Sequence, residues 1–145
     1  MSNDYNYNSL GDIIVIDSDS TDNELFLEIA GELGIEDNVH IFPNGKTAID
    51  YIKHTPNRVG LIFCEIYLPE MDGMQLKMAM RDDPVLRTRS VPFLLFSTVV
   101  NPADVITAYL DLPVQGLFLK QNNYADMKKM VEVALQYWST CIHPQ

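Results

Sequence analysis

Five short apolar runs limit the folds open to this chain more than any other feature of its sequence. They are residues 12–17, 39–42, 60–65, 91–97 and 117–120. Runs of this length, rich in β-branched and aromatic residues, are typical of strands buried on both faces of a parallel sheet. Stretches with the apolar spacing of amphipathic helices lie between them. The alternation predicts an α/β fold, a doubly wound five-stranded parallel sheet with helices on both faces.

Local signals indicate where the helices begin. The spacing of Thr21 and Glu24 predicts a capping box that opens the first helix. Asn44 precedes the second helix, and Asn101 followed by Pro102 is typical of a helix start. A methionine-rich helix is predicted over residues 74–80, a long polar connection over 81–90, and a closing helix from residue 122 onward.

Composition restricts the partners. The chain of 145 residues carries 20 Asp and Glu against 10 Lys and Arg, a formal net charge of -10. Such a field repels a phosphate backbone, so nucleic acid is not expected as a partner. Cys64 and Cys141 suggest no disulfide framework and fit a reducing compartment.

The length is that of a single domain. Residues 1–10 are expected to form a polar N-terminal tail, residues 11–140 the domain, and residues 141–145 a C-terminal tail, with no output domain. No signal peptide or transmembrane segment is recognisable. We therefore expect a cytoplasmic protein that has no contact with membranes.

Four of the predicted strands end in polar side chains, namely Asp17, Glu65, Ser97 and Lys120. In open α/β sheets the ligand crevice lies outside the carboxyl ends of the strands, so these four side chains are expected to meet there. Two acids, a hydroxyl and a lysine can hold a metal ion and a phosphoryl group, whose transfer depends on positioning and charge neutralisation. The pattern predicts a phosphoryl site.

The loop that follows Glu65 carries Pro69, Met71, Asp72 and Gly73. With the four strand-end residues, this loop resembles the CheY-like receiver domain of two-component response regulators. The resemblance extends over residues 12–138. It implies a flavodoxin-like fold with strand order 2-1-3-4-5.

The resemblance also implies roles for particular residues. Glu65 takes the phospho-acceptor position, Ser97 is the hydroxyl donor and Lys120 pairs with the phosphoryl group. The metal ligands are Asp17, Glu65 and the backbone carbonyl of Tyr67, with Asp19 as a further candidate. The implied metal is Mg²⁺.

Four positions depart from the family pattern. Glu65 replaces the acceptor Asp, Ser18 replaces a metal-binding acid, Gln121 stands where the family has Pro, and Leu117 stands where it has an aromatic residue. Ser18 and Glu65 should weaken Mg²⁺ binding. We therefore expect a stand-alone pseudo-receiver in phosphorelay signalling, with phosphotransfer lost or impaired, and not an enzyme.

The resemblance implies protein partners: a histidine kinase, a phosphotransfer protein or a downstream effector. The expected contact face consists of the last two helices and the last strand. Phe118, Val133 and Tyr137 are candidate apolar residues of this face, through which a homodimer could also form.

An alternative comes from residues 13–21, which resemble the first motif of haloacid-dehalogenase-type phosphohydrolases. In that interpretation Asp17 is the nucleophile and Asp19 the general acid, while Ser97 and Lys120 bind phosphate. The alternative explains Asp19. It lacks a further acid pair beyond the lysine and gives no reason for the loop at 69–73.

Overall fold

A five-stranded parallel sheet forms the centre of the computed structural model, which describes residues 6–144. The strands are β1 (Asp12–Ile16), β2 (Val39–Phe42), β3 (Val59–Glu65), β4 (Phe93–Ser97) and β5 (Gly116–Leu119). They are arranged in the order β2-β1-β3-β4-β5 and the described pairs are all parallel. The predicted fold class and strand order are confirmed. β1 and β4 are buried along their whole length, which agrees with their sequences, apolar apart from Asp12 at the start of β1 and Ser97 at the end of β4.

Helices cover both faces of the sheet. They are α1 (Ser20–Glu32), α2 (Gly45–His54), α3 (Gly73–Asp82), α4 (Leu86–Arg89), α5 (Pro102–Leu110) and α6 (Tyr124–Thr140). Side chains of α1 and α6, such as Phe26 and Val131, form one core with one face of the sheet. Side chains of α2 to α5, such as Ile52 and Leu76, form a second core on the opposite face.

The helix starts differ in part from the prediction. The side chain of Asp19, not Thr21, caps α1 by accepting a hydrogen bond from the Asp22 N–H. A capping box is present instead at α3, between Asp72 and Gln75. The cap at Asn101 is confirmed, and Asn44, predicted to precede the second helix, is the N-cap of α2. The connection over 81–90 is not entirely irregular, because it contains α4.

Part of the predicted N-terminal tail packs on the domain. Residues Tyr7–Leu10 form a 3₁₀ turn in which Tyr7 and Leu10 are only 5% and 2% exposed. The turn lies against β3, where a Cβ on Gly60 would stand 1.8 Å from the Leu10 carbonyl oxygen. Residues 1–5 of the tail lie outside the described residues. The polar composition of residues 1–10 concealed Tyr7 and Leu10, the two side chains that anchor the turn.

The cap of α3 can be tested by substitution. Asp72→Ala removes the carboxylate that accepts from the Gln75 N–H but keeps the Asp72 N–H that donates to the Gln75 side chain. We expect the free energy of unfolding to fall by about 1 kcal/mol, the usual value for an N-cap. Urea unfolding would measure it, with Asp82→Ala at the exposed carboxyl end of α3 as the control. Equal losses in the two variants would contradict a specific role of the cap.

Candidate functional site

The four predicted strand-end side chains meet at the carboxyl edge of the sheet. Lys120 Nζ lies 2.7 Å from Asp17 Oδ2 and 3.6 Å from Glu65 Oε2. Ser97 Oγ donates to Glu65 Oε1 at 3.2 Å. The strands that lead to these residues are neighbours in the sheet, so the topology alone brings the side chains together.

The loop after β3 places Glu65 by a close approach of the backbone. The Gly73 N–H donates to the Ile66 carbonyl at 2.7 Å, which folds the start of α3 back onto the end of β3. A Cβ on Gly73 would lie 2.4 Å from the Glu65 carbonyl oxygen, so only glycine fits. Within the loop Glu70 has a φ of 67°, a conformation that is strained for a residue with a side chain.

Lys120 is the cationic centre of the site. Its side chain is 8% exposed, and it also donates to Asp22 Oδ2 at 2.8 Å. Burial opposes its charge, but hydrogen bonds to Asp17 and Asp22 outweigh burial and raise the pKa of Lys120 to about 12. The ammonium group also lies 4.8 Å from the centre of the Phe96 ring, within cation–π range.

Sequence reasoning missed Asp22. Its place in the first turn of α1, five residues after the strand-end acid Asp17, is the signal that could have indicated it. Its carboxylate shares Lys120 with Asp17, so the lysine is held on the α1 side of the site.

Among the acids that face Lys120, Glu65 has an unfavourable environment for its carboxylate. Burial raises the pKa of Glu65, and the nearby Asp17 carboxylate raises it further, while Lys120 and the Ser97 hydroxyl lower it. Glu65 Oε2 is buried, and within residues 6–144 it has no hydrogen-bond donor. A buried acceptor without a donor is unfavourable. The carboxylate is therefore held in place by the protein around it and not by optimal pairing.

The other predicted metal ligands have different contacts. The Asp19 carboxylate caps α1, whereas its N–H donates to Asp17 Oδ1 at 3.0 Å. At Tyr67 the predicted ligand is the backbone carbonyl; the side chain points to α5, where its hydroxyl donates to Asp104 Oδ2 at 3.0 Å. Ser18 is exposed.

As arranged here, the site offers Mg²⁺ few of the oxygen ligands that its near-octahedral geometry needs. Both oxygens of Asp17 are engaged, one by Lys120 and one by the Asp19 N–H. Within residues 6–144 no group of three acidic, histidine or cysteine side chains is placed to hold a metal ion. A divalent cation would have to displace Lys120 from Asp17.

The site is open on one side. A groove of about 630 Å³ beside Glu65 is lined by Tyr67, Ser97 and residues 98–102. The groove borders Glu65, whose side chain is 14% exposed.

Of the helices that the structure describes, none is long and apolar enough to span a membrane.

Comparisons with known proteins agree with the fold and identify a family. The family model of the response regulator receiver domain matches residues 13–132. No curated protein sequence matches the chain. The phosphorylated cyanobacterial phytochrome response regulator RcpA is 23% identical, with a TM-score of 0.79 over 93% of this chain and 99% of that one.

Two further solved structures have the same fold. The Mn²⁺-bound response regulator Rcp1 is 23% identical, with a TM-score of 0.75 over 93% of this chain and 99% of that one. The Vibrio cholerae chemotaxis protein CheY4 is 17% identical, with a TM-score of 0.68 over 85% and 97% of the two chains.

The phosphohydrolase alternative receives no support. The matching family model is that of the receiver. The Asp19 carboxylate, which the alternative requires as general acid, caps α1. The Asp17 carboxylate, its proposed nucleophile, is bound to Lys120.

Proposed function

The chain belongs to the response regulator receiver family of two-component signalling, and on this premise we propose that it is a pseudo-receiver that signals through protein contacts without phosphotransfer at residue 65. The observation that carries the proposal is the position of the Glu65 carboxylate. One of its oxygens accepts from Ser97 and the other faces Lys120 at 3.6 Å. In a receiver, these are the groups that bind the phosphoryl oxygens.

The extra methylene of Glu65 accounts for both parts of the proposal: the loss of phosphotransfer, and the position of the Glu65 carboxylate in place of a phosphoryl group. It extends the carboxylate by about 1.5 Å relative to Asp, toward the place of the phosphoryl group. A displacement of ~1 Å can lower a reaction rate by on the order of a hundredfold. The same extension lets the carboxylate contact the hydroxyl and the lysine directly, so the protein is held toward the phosphorylated state.

We propose that Mg²⁺ binds weakly. The structure of Rcp1 is Mn²⁺-bound. Here Ser18 supplies no carboxylate, and the Asp17 carboxylate is paired with Lys120. The role of neutralising the acids belongs to the Lys120 ammonium group. No catalytic step is assigned to the protein, which is proposed not to be an enzyme.

The proposed partners are a histidine kinase, a phosphotransfer protein or an effector, and not nucleic acid or membrane. The net charge of -10 disfavours nucleic acid. The proposed contact face consists of α5, β5 and α6, where Val133 and Tyr137 are exposed and Phe118 is half-buried. A homodimer through this face remains part of the proposal, as does a cytoplasmic location.

The proposed role of the Glu65 carboxylate in place of a phosphoryl group can be tested by shortening the Glu65 side chain. In Glu65→Asp the carboxylate withdraws from Ser97 and Lys120, so the amide chemical shifts of residues 97 and 120 should change. Glu65→Ala should move them in the same direction. Two-dimensional NMR spectra would measure this.

The matched control is Glu70→Asp, the same shortening in the adjacent loop, which should leave residues 97 and 120 unchanged. If Glu65→Asp altered only the shifts of its chain neighbours, the proposed function would be wrong.

A further inference from the structure

We propose that the Tyr67 hydroxyl is the positioning group that transmits the state of Glu65 to α5. This inference rests on the proposed function, because it concerns how the same site reaches the contact face. Tyr67 lies two residues after Glu65. Its ring is half exposed, yet its hydroxyl makes two hydrogen bonds to the start of α5.

Both bonds are made to the first turn of the helix. The hydroxyl donates to Asp104 Oδ2 at 3.0 Å and accepts from the Asn101 N–H at 3.3 Å. Asn101 is the N-cap of α5 and Asp104 belongs to its first turn. The loop that carries Glu65 is thus bonded directly to the amino-terminal end of α5.

Few apolar contacts hold α5 otherwise. Of its nine described residues, only Ala108 is buried, whereas Ile106, Tyr109 and Leu110 are exposed. Elements with few buried apolar contacts move at low free-energy cost. The polar contacts at its ends therefore decide where α5 lies.

The second polar contact of α5 leads to β5. The Tyr109 hydroxyl accepts from the Leu117 N–H at 2.9 Å. Three residues later, the Lys120 N–H donates to the Ser97 carbonyl at 2.8 Å. Helix α5 is thus tied to the Glu65 loop by Tyr67 and to the Lys120 strand by Tyr109.

This arrangement gives Leu117, which is aliphatic where the family has an aromatic residue, a contact with α5 through its backbone. Leu117 cannot report on the site through a ring of its own, but its backbone N–H is bonded to α5. A movement of Glu65 that shifts Tyr67 would displace the first turn of α5, and the exposed residues Ile106 and Leu110 with it. The proposed link between the site and α5 runs through two hydroxyl groups, that of Tyr67 in the loop and that of Tyr109 on α5.

The test is a cycle of Glu65→Asp and Tyr67→Phe, measured as amide chemical shifts in α5 and at residues 97 and 120. Tyr67→Phe removes one oxygen from a half-exposed ring, so the protein should fold. We expect Glu65→Asp to shift α5 in the parent background. In the Tyr67→Phe background, the response of α5 should be lost while the responses of residues 97 and 120 persist.

Asp104→Asn, which keeps an acceptor for the hydroxyl, should preserve the response, and Asp104→Ala should weaken it. Tyr109→Phe removes only the contact with the Leu117 N–H, so the first turn of α5 should still respond to Glu65→Asp. Amide exchange in the first turn of α5 should also accelerate in Tyr67→Phe, on the order of fivefold to tenfold for the loss of its hydrogen bonds.

The outcomes separate the two proposals. If α5 responded equally with and without the Tyr67 hydroxyl, or did not respond while residues 97 and 120 did, the coupling role of Tyr67 would be refuted and the proposed function would stand. If residues 97 and 120 themselves failed to respond to Glu65→Asp, both proposals would be overturned.

Discussion

Lys120→Met should lower the free energy of unfolding by roughly 3–5 kcal/mol, because breaking a buried ion pair leaves the remaining charge uncompensated. Asp17, which is 2% exposed, would lose its only ion-pair partner within residues 6–144. Glu65 and Asp22 would lose the same cation. Methionine has a similar length and apolar stem, so the loss reports the charge and not a cavity. Urea unfolding followed by Trp138 fluorescence would measure it.

Two controls make this test specific. Lys128→Met removes a lysine that lies 2.9 Å from Glu32 but is 30% exposed, and it should cost less than about 1 kcal/mol. Asp17→Asn combined with Lys120→Met removes charge of both signs and should recover part of the loss. If Lys120→Met were no more harmful than Lys128→Met, the ion pairs at the sheet edge would not stabilise the fold.

The stability of the protein should rise between about pH 8 and pH 10 relative to a Lys77→Met variant. Lys77 is 2% exposed, and its ammonium group donates to the Ser90 carbonyl and hydroxyl at 3.2 and 3.3 Å. Within residues 6–144 it has no carboxylate partner. Burial lowers the pKa of Lys77 from 10.5 to about 8.

The sign follows from proton binding. Between pH 8 and pH 10.5 the unfolded chain binds the Lys77 proton and the folded chain does not, so stability rises with pH. At about 1.4 kcal/mol per pKa unit, the full gain is on the order of 3 kcal/mol. It should be largely complete near pH 10 and absent below pH 7.

Urea unfolding of the two proteins at several pH values would measure the difference, since the titration of all other groups cancels. Lys129→Met, at an exposed position of α6, serves as the control and should show no such trend. A constant difference between the parent and Lys77→Met over this pH range would show that Lys77 is not a buried charge.

The sequence predicted the sheet and the meeting of four side chains because both depend on strand order. Polar residues that end parallel strands must share one edge, so Asp17, Glu65, Ser97 and Lys120 could be placed together without knowledge of distances. The loop at 69–73 added the family and the order of the strands.

Contacts between helices and strands were not predictable in the same way. The hydrogen bond that Lys120 donates to Asp22 depends on how α1 rotates above β1, which the apolar spacing alone does not define. Lys77 interrupts a methionine-rich helix whose spacing gave no sign that its charge is buried. Thr21 and Glu24 had the spacing of a capping box, but Asp19 starts the helix and thereby takes the cap.

The Tyr67 hydroxyl shows a further limit. A tyrosine in a loop after a strand has no periodicity from which its partner could be inferred. Only the folded position of α5 brings Asp104 within 3.0 Å of it, 37 residues along the chain.

The central claim, that Glu65 stands in for a phosphoryl group and does not accept one, is tested most directly by intact-mass measurement after incubation with acetyl phosphate and Mg²⁺. The parent protein would be compared with Glu65→Asp and with Ser18→Asp/Glu65→Asp, which restores the acids of the receiver pattern at two of its four departures, the metal-binding position and the acceptor position. We predict no mass gain on the parent and one labile phosphoryl group on the double variant, located at residue 65. A labile phosphoryl group on the parent, whether at Glu65 or at Asp17, would contradict the account.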